Sequence, residues 1–587
     1  MMKRRSFLKQ LSTLAAASLF PTDLFWRQVR AAGEQPGRRH LINLIGYGGW
    51  DGSCFHNTFS GRPIAEHLNG FCSLSPGGFE YEQRDKLYRY TSKCSSLDER
   101  ELGTHPNGVT RLGPAFSTVA SAEDLQQVLI WKGLDHPGNH VLNNFMINQG
   151  NSSSYAVSFA GLTSALLARQ KRLPLHYVLL SDTPTRLFTQ FAMAEDAAIP
   201  ICIADATQFQ GLTSRDASEP ANVDVIREID STVERLTREL MEKRAKLASS
   251  QRVASAFGAS VEGSRFVYGS NLFNDPEFIY LQKYYFLEAL KPFTSLSTAN
   301  WLSSRASAVA WTRSTSWSYN HVLQGLSFAA RHYSPLPSYE AFKSAPSSYL
   351  GSLADIAANP PQANTPAALT ASNVSAAANF YLNRLRTQSW YYAFADFLVR
   401  RELSAVVDVP AWPGEMDAHG ALVGSYLDET LSLQFTFGLF FALQRSLRTV
   451  PITGGGNLLD MTTIALHTEF DRYPYHESKT YEQRSLVLPI GTNHAPSASI
   501  LLAGAGIQGG RVVGGVHEGP ASLGAFPRGS YLEPLPIDHQ SGQVSASGKK
   551  ANILSIAPTV LAAFGGTLPP QQLTDFGVIP AVLKPRS

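Results

Sequence analysis

Five short segments of the chain carry acids, imidazoles and a guanidinium in settings where they could do chemistry. Asp51 lies in Gly48-Gly49-Trp50-Asp51-Gly52, where glycines let the backbone turn sharply and leave a carboxylate open after an apolar run. His136 and His140 lie in Asp135-His136-Pro137-Gly138-Asn139-His140, a loop able to bind a metal or shuttle protons. Asp417 and His419 are two residues apart, so in an extended segment they point the same way and could face one ion. A mixed carboxylate and imidazole set suits zinc or manganese. Glu469, Asp471 and Arg472 follow the run Thr462 to Leu466, and His494 stands in Thr492-Asn493-His494-Ala495-Pro496 before another apolar run. Each has a plainer reading alone: a turn aspartate, a hydrogen-bonded structural histidine, a surface ion pair between Glu469 and Arg472. Jointly, several acids and imidazoles at strand ends point to a polar or metal site.

The elements that must position these residues are short apolar runs alternating with helical patterns. His40 to Gly46, Val128 to Trp131, Tyr177 to Leu180, Ile199 to Ile203, Ala405 to Val409, Thr462 to Leu466 and Ser499 to Leu502 read as strands. Val223 to Ser249, Ser375 to Val399 and Leu427 to Leu447 read as helices; the first carries one apolar stripe and i,i+4 ion pairs. Ser334 to Ala367 is a Pro-, Ser- and Ala-rich connection, and Asp538 to Lys550 a polar loop. The alternation predicts an α/β fold with a mainly parallel central sheet flanked by helices. Ligands in such folds sit beyond the carboxyl ends of the strands.

Composition narrows the class. The 587 residues are 44% hydrophobic and 17% charged, with a net charge of +3 spread along the chain. No basic block or nucleic-acid motif is present, which argues against a nucleic-acid partner. The opening Lys3-Arg4-Arg5-Ser6-Phe7-Leu8-Lys9, then an apolar run from Leu11 to Phe20, reads as a twin-arginine export signal occupying 1–32. That run is shorter than the roughly 20 residues a membrane span needs, and no later stretch is long enough to cross. The expected destination is the periplasm or the cell exterior, reached as a folded protein through the twin-arginine translocase. Cys54, Cys72, Cys94 and Cys202 form no CxxC pair. A Cys72–Cys94 disulfide and four free thiols are both compatible with an oxidising compartment.

In this order the segments resemble the DUF 1501 family, exported bacterial proteins of the alkaline phosphatase/sulfatase-like superfamily. The likeness runs in patches from Leu41 to Gly565. Gly48 to Gly52 is similar to the family's opening Gly-Gly-x-Asp-Gly, and Met416-Asp417-Ala418-His419 to its Phe-Asp-Thr-His. Thr468-Glu469-Phe470-Asp471-Arg472 resembles Ser-Glu-Phe-Gly-Arg, and Asn493-His494-Ala495 resembles Asp-His-Gly. Ile556 to Leu561 is similar to the closing helix of sulfatase-like proteins.

The resemblance implies one domain at 40–570 with a helical insertion at about 205–400 and a tail at 571–587. It also implies hydrolysis of phosphate or sulfate esters with one or two divalent ions, zinc, manganese or calcium. Asp51 and Glu469 would serve one ion; Asp417, His419 and His494 the other. His140 would be nucleophile or general acid/base, and Arg472 would steady developing negative charge. The substrate would be a small anionic ester or a glycan. Phe470 stands where the enzymes have a metal-binding His or Asn, which predicts that one metal site is weak or lost. The alternative is a non-catalytic envelope protein of the same fold that binds a glycan or a protein.

Overall fold

A computed structural model describes residues 39–51, 79–84, 87–92, 103–106, 110–112, 119–136, 140–150, 157–170, 172–181, 200–204, 272–293, 336–344, 371–412, 423–475, 491–518, 532–568 and 574–585, with a few isolated positions besides. Residues 1–32, where the export signal is expected, nearly all of the expected helix from Val223 to Ser249, Cys54, Cys72, Cys94, and both Asp417 and His419 lie outside the described residues.

The apolar runs are strands. They are β1 (His40–Ile45), β2 (Trp50–Asp51), β3 (Val128–Asp135), β4 (Tyr177–Ser181), β5 (Ile201–Ala204), β6 (Val406–Pro410), β7 (Thr462–His467), β8 (Asp471–Tyr475), β9 (Gly491–His494), β10 (Ser497–Gly504), β11 (Arg511–Val513), β12 (Pro536–Ile537) and β13 (Lys549–Asn552). The main sheet has the order β12-β13-β3-β10-β7-β1-β6-β4-β5, with β11 also paired to β3. β1 is parallel to both β6 and β7, β4 is parallel to β6, and β5 to β4. β10 runs antiparallel to both β7 and β3. The α/β class holds, but the sheet is mixed. The reversal follows from the β7–β10 connection, which returns through the antiparallel pair β8–β9 to the rim it left. An antiparallel neighbour needs no crossover helix.

Helices cover both faces, which explains why the central strands are apolar without alternation. The helices are α1 (His140–Gln149), α2 (Phe159–Ala168), α3 (Pro276–Leu290), α4 (Ala371–Arg400), α5 (Val423–Arg448) and α6 (Ile556–Ala563). Ile42, Leu44, Ile464 and Leu466 share one core with α3, α4 and α5, where Phe278 meets Trp390 and Phe394 edge-on. Leu41, Val406, Ala465 and Leu502 pack on the opposite side with α2 and α6. Helices α3 and α4, inside the expected insertion, therefore belong to the main core. Among the described residues no helix is long and apolar enough to cross a membrane.

A polar ladder crosses this apolar sheet. Tyr177 donates to Asp408 Oδ2 at 2.5 Å, Asn43 Nδ2 donates to Asp408 Oδ1 at 2.9 Å, and His467 Nε2 lies 3.0 Å from Asn43 Oδ1. Burial pushes the Asp408 carboxyl up to about 6, against the hydrogen bonds from Tyr177 and Asn43 that pull it down. Burial also pulls the His467 imidazole down to about 3.

The two shifts act oppositely on stability. The raised Asp408 contributes stability below its usual 3.8 that is lost as pH rises through about 6. The depressed His467 contributes stability above its usual 6.5 that is lost as pH falls toward about 3. In wild type they partly cancel between these limits. Replacing Asp408→Asn removes one of them, so the variant's unfolding free energy should climb more steeply than wild type from pH 4 to pH 6. Denaturant titrations across that window measure it; parallel curves would contradict the assignment.

Candidate functional site

Parallel pairing of β1 with β6 and β7 carries their carboxyl ends to one rim. The lock continues past the strands: Gly46 N–H donates to His467 O at 2.8 Å, Ala411 N–H to Ile45 O at 2.8 Å, and Trp412 Nε1 to Tyr47 O at 2.9 Å. Because β10 is antiparallel, its start meets the same rim, and so does the end of β3. There a second, three-stranded sheet forms in the order β9-β8-β2. Its register sets Arg472 opposite Asp51 on one side and opposite His494 on the other. Asp51 thus shares one backbone row with Arg472 and His494, which lie more than 400 positions further along the chain. His140 opens α1, just after the end of β3. Asp417 and His419 follow the rim end of β6 by a few residues in the chain.

Glu469 and Arg472 are not a surface ion pair. Glu469 is 2% exposed and Arg472 is fully buried. The Gly48 N–H donates to Glu469 Oε2 at 2.8 Å, and Arg472 Nε donates to the Gly48 carbonyl. The two side chains grip the same glycine turn from its two polar ends. The Arg472 guanidinium also lies 5.4 Å from the centre of the Phe470 ring, a cation–π distance. Gly49 has φ +75, and a Cβ there would overlap the Phe470 ring. Only glycine fits that position without strain.

His136 also stacks on Phe470, with ring centres 5.9 Å apart. Its Nε2 donates to Ala495 O at 2.7 Å. Burial lowers the His136 pKa, partly offset by that hydrogen bond. The neutral ring then accepts at Nδ1 from Asn143 Nδ2, 2.9 Å away. Asn143 Nδ2 also donates to the Glu469 carbonyl at 3.2 Å. A carbonyl can only accept, so the amide's orientation is settled. Asn143 Oδ1 is left buried and, among the described residues, without a hydrogen-bond partner.

Asp471 is the hub of the buried polar cluster. Its Oδ1 accepts from Trp50 Nε1 at 2.8 Å and from Ser499 Oγ at 2.5 Å, and Ser497 Oγ lies 3.5 Å from Oδ2. Ser499 Oγ also accepts from Trp50 Nε1 at 3.2 Å. Sequence reasoning placed Asp471 among the acids at a strand end but assigned it no role. The usable signal was Asp471 beside a polar pair, Ser497 and Ser499, at the start of an otherwise apolar strand. Asn143 carried no signal, because an asparagine inside a helix has no distinguishing pattern.

Among the described residues no group of three His, Cys, Asp or Glu side chains is arranged to hold a metal ion. Backbone position alone is described for Asp51, His140 and His494. The oxygen donors described nearby are the Glu469 carboxylate and the buried Asn143 Oδ1, which has no hydrogen-bond partner among the described residues and whose amide nitrogen donates to the Glu469 backbone. Hard cations favour such oxygen donors. No protein-family model, curated protein or solved structure matches the chain.

Two stability outcomes follow from this geometry. Asp471→Ala removes the carboxylate that accepts from both the buried Trp50 indole and the buried Ser499 hydroxyl, and should lower unfolding stability by about 3 kcal/mol; a loss under about 1 kcal/mol in urea titration would deny it the hub role. Gly49→Ala should cost at least about 1 kcal/mol from positive φ and ring overlap, and a neutral result would mean the turn relaxes freely.

Proposed function

We propose that the chain is an exported, metal-dependent hydrolase of phosphate or sulfate esters, built on the alkaline phosphatase/sulfatase-like plan and related to the DUF 1501 proteins. In this reading the twin-arginine translocase delivers it folded to the periplasm or beyond. Asp51, Glu469, Asp417, His419 and His494 hold one or two divalent ions, of zinc, manganese or calcium. A bound cation would polarise the ester oxygen and help supply a nucleophile. His140 serves as nucleophile or general acid/base at the first turn of α1, where the helix dipole favours an anionic group. Arg472 acts at one remove: it holds the Gly48 turn that seats Glu469, and its buried charge favours negative charge developing nearby.

The observation that carries this reading is the row Asp51–Arg472–His494, with the Glu469 carboxylate seated on the Gly48 N–H. Separate acidic and imidazole segments reach one rim, where α/β folds bind ligands. A second reading is favoured by Phe470, fully buried and in contact with both the His136 ring and the Arg472 guanidinium. An apolar ring so placed suits a non-catalytic envelope protein of the same fold that binds a glycan or a protein partner.

The test is metal content of the purified full chain, then turnover of aryl phosphates and aryl sulfates. Glu469→Gln keeps the shape and an acceptor oxygen but removes the charge. It should lower kcat/KM at least about 100-fold with bound metal reduced. Metal-free protein with no turnover on either ester class would favour the binding-protein reading.

A further inference from the structure

Lys132 presents a physical puzzle. It lies in β3 where the ladder with β10 slips: Trp131 pairs with Ile500 and Leu134 with Ala498, so Lys132 and Gly133 together face Ser499. This is a β-bulge, a device that re-aims a side chain. Gly133 takes φ +70 to permit it. Val128 and Ile130 pack in the core that contains Trp50, whereas Leu129 and Trp131 pack in the other. Alternation therefore sends Lys132 to the Trp50 side, toward the Asp471 cluster.

Lys132 is 7% exposed, yet among the described residues its ammonium makes no hydrogen bond and no ion pair within 4.0 Å. Asp471 attracts it from farther away. The cluster's other groups are committed: Ser499 Oγ donates to Asp471 and accepts from Trp50, and Asp471 accepts from both. A buried ammonium with three unused donors is strongly unfavourable unless something arrives to take them. Trp50, Asp471 and Ser499 are at most 1% exposed, so Lys132 is the member of this group that still reaches the surface.

We propose that Lys132 anchors a binding site for a tetrahedral oxyanion, the phosphate or sulfate group of the ester substrate. The proposal rests on the ester-hydrolase reading and names the group that would grip its substrate's charge. Asp471 lowers the cost of holding the ammonium without occupying its donors, which stay free for anionic oxygens. Burial pulls the amine down to about 7, with Asp471 holding it up, so an arriving anion would restore a full charge. Charge-assisted N–H···O bonds formed there are stronger than neutral ones.

The experiment uses the full chain and inorganic phosphate or sulfate as probes, in separate thermal-shift and calorimetric titrations. Wild type should gain Tm with rising phosphate or sulfate, and the better ligand identifies the ester class. Lys132→Met keeps the length and removes the charge. It should weaken oxyanion affinity about ten-fold or more, while its Tm without oxyanion equals or exceeds that of wild type. A purely structural lysine would give the opposite, a lower Tm and unchanged affinity.

Should Lys132→Met not fold, mass-mapped acetylation of wild type replaces it: saturating oxyanion should protect Lys132 and leave exposed lysines unchanged. Wild-type affinity in Lys132→Met, or acetylation of Lys132 indifferent to oxyanion, overturns the proposal and leaves the hydrolase reading standing. No oxyanion binding by wild type overturns the proposal and counts against that reading as well.

Discussion

The register of β1 between β6 and β7 is the constraint on which the rest depends. Backbone hydrogen bonds fix it, and they do not stop at the strand ends: Gly46 bonds to His467 and Ala411 to Ile45. The three chains therefore leave the sheet side by side. A one-residue slip would reverse which side chains face each core and displace every rim residue. With the register held, the Gly48 turn falls between Glu469 and Arg472, and β2 can pair with β8.

Polar groups at the rim are tied by the same logic. The backbone that leaves the sheet needs partners, and buried side chains supply them. Arg472 takes the Gly48 carbonyl, Glu469 takes the Gly48 N–H, and His136 takes the Ala495 carbonyl. Asp471 collects the Trp50 indole and the Ser499 hydroxyl. These bonds connect four separate segments, so the rim behaves as one unit. The tension lies in what they leave over among the described residues: an acceptor on Asn143 and an ammonium on Lys132, both well buried. Unsatisfied groups of this kind concentrate where ligands bind, because a site optimised alone would have no use for a ligand.

Much of the fold was legible because long apolar runs report burial directly. His40 to Gly46, Thr462 to Leu466 and the Ser375 to Val399 helix stand within a few residues of their observed limits. Strand direction was not legible. Nothing local to Ser497–Gly504 reveals that it runs against its neighbours, since direction depends on the path of the connection before it. At the site, sequence spacing singled out Glu469, Arg472, Asp51 and His494, and three of these share one row. It could not see that Arg472 is wholly buried, because a charged residue's burial is decided by distant partners. Lys132 was invisible for the same reason: it sits in a run that looks like any strand, and only the bulge opposite Ser499 sets it apart.

The central claim is that the rim gathers acidic and imidazole groups around a cation. A crystal structure of the full chain soaked in manganese chloride, with anomalous data collected, tests it most directly. The account predicts an anomalous peak about 2.2 Å from a Glu469 carboxylate oxygen, with the Asp51 and His494 side chains turned toward the same point. Asp51 and His494 turned to separate faces, with no anomalous density at the rim, would contradict it.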